Sequence, residues 1–134
     1  MAGTLQTPVA MLRLLLVDDD AFIRLALRDA FESAGVEVTE AGDGEQALAL
    51  TRARPFDLVL CDVHMPRMDG LTLLRRVRER WGGPFIVMTT FGDGEDVALA
   101  RREGATDCIG KPFDPEDFVR TVLVPLEACL AVQR

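Results

Sequence analysis

The chain of 134 residues has no tyrosine, and only one histidine, one tryptophan and one lysine. Its three cysteines, Cys61, Cys108 and Cys129, are odd in number and scattered without metal-type spacing. That excludes a disulfide framework and suits a reducing cytosol, so a cytoplasmic location is expected. Positive charge is scarce: 15 Lys and Arg stand against 22 Asp and Glu, a net charge of −7. A broad basic footprint for nucleic acid is therefore absent. The local run Arg75, Arg76, Arg78, Arg80 shares helical spacing with Leu74, Val77 and Trp81, and reads as a solvated helix face. The apolar run near the N-terminus is short, interrupted by Arg13 and closed by aspartates. Neither a signal peptide nor a membrane span is expected. Internal repeats and low-complexity segments are also lacking. What remains is ordinary globular composition, 49% hydrophobic and 28% charged, enough for one domain with a single sizeable core.

Apolar runs and turn residues then alternate along the chain. Leu12 to Val17 reads as a buried strand, and Asp20 as the cap of a helix that Gly35 stops. Val36 to Glu40 is a short strand, and Asp43 with Gln46 forms a capping-box pair for a helix to about Ala53. Asp57 to Cys61 is a third strand, and a helix from Leu71 to Trp81 ends at Gly82, Gly83 and Pro84. Phe85 to Met88, Glu95 to Glu103 and Asp107 to Ile109 give strand, helix and strand, and Asp114-Pro115 opens a last helix. Five β-α units imply an α/β fold, a parallel sheet with helices on both faces.

In such sheets functional groups gather beyond the carboxyl ends of the strands. Those ends carry Asp18 and Asp19, then Asp62, then Thr89 and Thr90, then Lys111. Adjacent carboxylates repel, so their convergence calls for a cation, and oxygen ligands with room for water and phosphate suit Mg²⁺. Asp20 is left as a helix cap. Lys111 is the only lysine in an otherwise arginine-using chain, and a compact three-donor ammonium contacts a carboxylate and a phosphoryl group together better than a planar fork does.

VDDD at 17–20, CDVHMPRMDG at 61–70, MTT at 88–90 and GKPF at 110–113 together resemble the receiver domain of two-component response regulators. The resemblance spans about residues 12–124. It implies a flavodoxin-like (βα)5 fold with strand order 2-1-3-4-5. It further implies that Asp62 is the phosphoacceptor, taking a phosphoryl group from a phosphohistidine on a sensor histidine kinase or phosphotransfer protein. Asp19, Asp62 and the main-chain carbonyl of His64 would ligate Mg²⁺, with Asp18 holding metal-bound water. Thr89 and Lys111 would bind phosphoryl oxygens, Thr90 standing beside them where the family more often has Ala or Gly. A cis Lys111–Pro112 bond is implied as well. The side chain of His64 is read as a partly exposed rim residue, and Met65, Pro66, Met68 and Gly70 as loop shape. Cys108 stands where the family usually has Tyr or Phe, so ring burial there is not the expected switch. Movement of 89–93 and the helix after it, driven by Thr89, is. The output surface would be the fourth helix, fifth strand and fifth helix, for an unknown downstream protein or output domain, or a homodimer.

The expected organisation is a loose arm over 1–10, the receiver over 11–124, and a helix extension or linker start over 125–134, kinked by Pro125. No output domain is expected within these residues, which suits either a stand-alone receiver or a piece of a larger regulator or hybrid kinase. Three alternatives stand beside this reading. A pseudo-receiver would bind a partner without phosphorylation. Asp18-x-Asp20 with Gly92-Asp93-x-x-Asp96 is similar to motifs of haloacid-dehalogenase-like phosphatases, although Lys111 follows the late acidic motif instead of preceding it. Gly42-x-Gly44-x-x-Ala47 fits a loose dinucleotide fingerprint, but after the second strand and among acidic residues.

Overall fold

Alternation within the first strand divides the core in two. Leu14 and Leu16 pack on one side of the sheet, Leu15 and Val17 on the other, and all four are buried. A strand covered on both faces needs this near-continuous apolar run. In the computed structural model, which describes residues 12–90, 94–111 and 114–123, the elements are β1 (Arg13–Val17), α1 (Ala21–Ser33), β2 (Glu37–Ala41), α2 (Gly44–Ala53), β3 (Leu58–Asp62), α3 (Gly70–Arg78), β4 (Phe85–Thr90), α4 (Gly94–Arg102) and β5 (Asp107–Lys111). A final helix, α5, covers 115–123. The five strands are parallel in the order β2-β1-β3-β4-β5, as expected. The arm over 1–10, the Lys111–Pro112 bond and the segment 125–134 with its Pro125 kink lie outside the described residues.

Helices α1 and α5 cover one face through Leu27, Phe31, Phe118, Val119 and Val122, with Phe31 and Phe118 edge to face at 6.2 Å. Helices α2, α3 and α4 cover the other through Ala47, Leu48, Leu73, Leu74, Val77 and Ala100. The caps follow the local chemistry. Asp20 accepts from the N–H groups of Phe22 and Ile23, and Asp43 from that of Gln46. The Gln46 side chain answers by accepting from Gly42 N–H at 3.1 Å, one residue earlier than a capping box would have it. Gly35, at φ 90°, ends α1: its N–H reaches the Glu32 carbonyl and that of Val36 reaches Phe31, the paired bonds of a left-handed helix stop.

Several boundaries differ from the sequence-based expectation. Helix α3 ends at Arg78, three residues before Trp81, because its last N–H groups tighten onto Arg76 and Val77. Arg78 leaves the solvated face to donate to the carbonyls of Trp81, Gly83 and Gly104. Strands β4 and β5 run on to Thr90 and Lys111, so sheet pairing itself carries both residues to the functional edge.

The loop after β3 is tied down at both ends. Gly70 N–H donates to the Val63 carbonyl at 2.8 Å, and Asp69 caps α3 by accepting from Thr72 N–H. Met68 N–H reaches back to the Pro66 carbonyl at 2.9 Å across Arg67, whose φ is 69°. A residue other than glycine there is strained, and an i to i+2 bond marks a γ-turn. At Gly70 a Cβ would stand 2.3 Å from the Asp62 carbonyl oxygen, backbone that cannot swing aside. Gly70→Ala is therefore expected to cost about 1–3 kcal/mol, the range for overpacking. It should also displace the end of β3. Chemical denaturation checks the first effect, and cation binding the second. A variant as stable as wild type would show that the loop yields freely.

Candidate functional site

The carboxyl edge of the sheet gathers acidic side chains from two adjacent strands. Ligand oxygens of Asp18, Asp19 and Asp62 all lie within 4.8 Å of one another, the one such group among the described residues. Asp18 and Asp62 are buried and Asp19 is exposed. Lys111 reaches them from β5, past β4: its Nζ stands 2.8 Å from Asp18 Oδ2 and 3.3 Å from Asp62 Oδ1. The long lysine stem spans this gap while three donors remain at its tip.

Asp18 is bonded at every polar atom. Its N–H donates to the Ala41 carbonyl and its own carbonyl accepts from Arg24 Nη1 at 2.6 Å. Oδ1 accepts from Asp20 N–H at 2.9 Å, and Oδ2 from Lys111. Each carboxylate oxygen of Asp18 thus already accepts one hydrogen bond, whereas Asp19 is open to solvent.

The other residues read from the sequence fall around this cluster. Thr89 is buried on β4, one step beyond the Asp62–Met88 pairing. Thr90 pairs in register with Lys111. His64 is exposed. Cys108 lies opposite Val87, half-buried against the core of the α2, α3 and α4 face. Asp20 turns away to cap α1, which removes it from any DxD nucleophile pair. Gly44 packs on Met68, where a Cβ would come within 2.9 Å of that side chain, so the glycine after Asp43 serves packing between loop and helix.

Two features escaped the sequence reading. Arg24 grips the Asp18 carbonyl and pairs with Glu40 at 3.0 Å, and Arg67 pairs with Asp43 at 3.6 Å. The topology held a clue to the first, since α1 starts at the pocket and Glu40 lies on the neighbouring strand, opposite Leu16.

Charge in the cluster is unbalanced. Burial, and then the charge of Asp18, push the Asp62 carboxyl up to about 6 against the opposing pull of Lys111. Burial works to lower the Lys111 ammonium, but its bond to Asp18 and the charges of both carboxylates prevail and raise it. Burial, with Asp62 and Asp18 nearby, also pushes the Cys61 thiol well up, so it stays protonated. Hard carboxylate donors with surplus negative charge fit a hard divalent cation.

Residues 14–123 match the sequence model of the response regulator receiver domain. The chain belongs to this family. It is 39% identical over 110 residues to the DNA-binding response regulator MtrA of Mycobacterium tuberculosis, covering 82% of this chain and 48% of that protein. It is 38% identical over 107 residues to the DNA-binding transcriptional regulator NtrC of Salmonella typhimurium, covering 79% of this chain and 23% of that one. The receiver thus spans about half the length, or less, of these curated relatives. Among solved structures, the chemotaxis protein CheY4 of Vibrio cholerae is similar at a TM-score of 0.78 and 34% identity, over 84% of this chain and 96% of that one. NtrX from Brucella abortus reaches 0.83 at 30% identity, over 92% of this receiver and 28% of that chain. Nothing in these likenesses favours the phosphatase, nucleotide-binding or pseudo-receiver alternatives.

The raised Asp62 carboxyl has a consequence for stability. Its native pKa of about 6 lies above the ordinary 3.8, so the folded receiver holds this proton more tightly than the unfolded chain does. In metal-free solution Asp62 therefore lowers stability as pH rises from about 4 through about 6, with the full penalty above that. Asp62→Asn is expected to flatten this part of the melting-temperature profile and to melt higher than wild type at pH about 7 in chelator. Parallel wild-type and variant profiles would refute the assignment.

Proposed function

We propose that this receiver accepts a phosphoryl group on Asp62 from the phosphohistidine of a sensor histidine kinase or phosphotransfer protein. An ionised Asp62 oxygen attacks phosphorus, the P–O bond forms as the P–N bond breaks, and the leaving imidazole nitrogen takes up a proton. Lys111 holds the phosphoryl oxygens while remaining anchored to Asp18, and Thr89 supplies a hydroxyl from the next strand. Asp19, Asp62 and the His64 carbonyl would hold Mg²⁺, with Asp18 ordering water beside them, and the ion would supply charge neutralisation. The rest is positioning, which is how phosphoryl transfer is accelerated. The observation that carries this reading is Lys111 Nζ standing between Asp18 and Asp62 at 2.8 and 3.3 Å, in a pocket with three converging carboxylates.

The same domain would catalyse its own phosphorylation and dephosphorylation, and work in the cytoplasm. Among the described residues no helix is long and apolar enough to cross a membrane. Beside the pocket, Phe22 is 86% exposed and Leu25 57%. With Ile23, Ala26, Leu27 and Pro115, Phe22 lines a groove of about 190 Å³ between α1 and α5, an apolar surface that a donor protein would cover. The output, a downstream protein, an appended domain or a second copy, would meet α4, β5 and α5, where Leu99 is exposed. Direct contact with nucleic acid is not assigned to this receiver, whose domain would run over 11–124. Without a ring at Cys108, the switch works through Thr89 and the segment 89–93, of which 91–93 lie outside the described residues.

Mass spectrometry after incubation with a small-molecule phosphodonor tests this. One acid-stable, alkali-labile phosphate is expected on wild type, dependent on Mg²⁺ and absent from Asp62→Asn. Lys111→Arg is expected to phosphorylate and respond poorly although charge is kept, because a planar fork cannot replace the ammonium. Amide exchange with beryllofluoride and Mg²⁺ should change from Thr89 through α5. An unphosphorylated wild type, or exchange altered only around Asp62, would favour a pseudo-receiver.

A further inference from the structure

Asp19 is the exposed member of the acidic cluster, and no described residue bonds its carboxylate. Its aim is therefore set by the backbone on either side. On the C-terminal side, Asp20 N–H is held by Asp18 Oδ1 at 2.9 Å. On the N-terminal side, the Asp18 carbonyl belongs to the rigid peptide plane that ends at the Asp19 Cα, so fixing that oxygen fixes the plane. Arg24 Nη1 does this at 2.6 Å, a short charge-assisted bond from a mostly buried side chain.

The guanidinium is itself held from behind. Its Nε donates to Glu40 Oε1 at 3.0 Å, and the second Glu40 oxygen accepts from Arg28 Nη1 at 2.7 Å. Gly42 lies beside it: a Cβ there would meet Arg24 Nη1 at an ordinary contact distance of 3.4 Å. One planar fork thus joins β2 to the loop after β1, a task that needs two donors at a fixed angle.

We infer that Arg24 is a positioning residue for the cation site, orienting the Asp18–Asp19 peptide so that the Asp19 carboxylate faces the pocket. The inference rests on the cation-binding reading proposed above. Mg²⁺ affinity by titration calorimetry, and exchange of the Asp20 amide in metal-free protein, are measured for wild type, Arg24→Ala, Arg24→Lys and Arg28→Ala. Arg24→Ala is expected to weaken Mg²⁺ binding about ten-fold, the low end for partners that orient metal ligands, and to speed Asp20 exchange. Arg24→Lys keeps the charge but cannot reach Asp18 and Glu40 together, and should fall between. Arg28→Ala removes an ion pair of the same network without touching Asp18. It should cost stability while leaving Mg²⁺ affinity and Asp20 exchange as in wild type. If Arg24→Ala does not fold, Arg24→Lys read against Arg28→Ala decides. Wild-type affinity in the Arg24 variants, or an equal loss in Arg28→Ala, would overturn this inference alone. A wild type that takes up no Mg²⁺ would overturn the cation reading, and the role of Arg24 with it.

Discussion

The Lys111 ammonium lies between two buried carboxylates, Asp18 and Asp62, and one positive charge cannot satisfy both. Two charges at that depth repel unless something cationic offsets them, and each carries a desolvation cost. The nearer bond goes to Asp18, whose remaining polar atoms are also engaged. Asp62, the farther partner, has its carboxyl raised by burial first and by the charge of Asp18 second. A carboxylate that is ionised at neutral pH, yet incompletely compensated, attracts a cation and remains nucleophilic. The geometry of the sheet serves this imbalance: β1 and β3 are neighbours, and β5 lies far enough away that only a long side chain closes the gap.

Much of this was legible before any coordinates. The apolar run LLLV into three aspartates placed β1 and the start of α1, and Asp20 caps that helix as its position implied. Strand order and the gathering of Asp18, Asp19, Asp62, Thr89 and Lys111 at one edge followed from β-α alternation and the family motifs. What stayed hidden depends on contacts distant in sequence. Arg24 and Glu40 look like ordinary helix and strand polar residues until the sheet brings them together. Arg78 donates to carbonyls as far away as Gly104, a contact that no local pattern announces. The left-handed Arg67 has no local signal, because arginine does not advertise a positive φ as glycine does.

The loop after β3 shows how support is distributed. Gly70 allows α3 to start against the Asp62 backbone, Arg67 leans on the cap of α2, and Met68 fills the space over Gly44. Functional groups held by secondary contacts of this kind keep their geometry without being part of the chemistry. The opposite side of the pocket is braced similarly through Arg24, so both stretches flanking the acidic cluster are fixed to α2 or β2.

Strand alternation also acts as chemical insulation. Cys61 and Asp62 are consecutive, yet the thiol packs into the α2, α3 and α4 layer while the carboxylate meets Lys111 at the edge. Pairing of Cys61 with Val87 and Asp62 with Met88 holds that assignment. Slipping β3 by one residue would exchange the two faces, offering sulfur where oxygen now stands. A thiol at that place would be a soft, mostly protonated group, poorly matched to a hard cation, and a phosphoryl group on it would make a phosphorothiolate instead of an acyl phosphate. Under the proposed function, the register of one short strand would thus select which heteroatom receives the phosphoryl group.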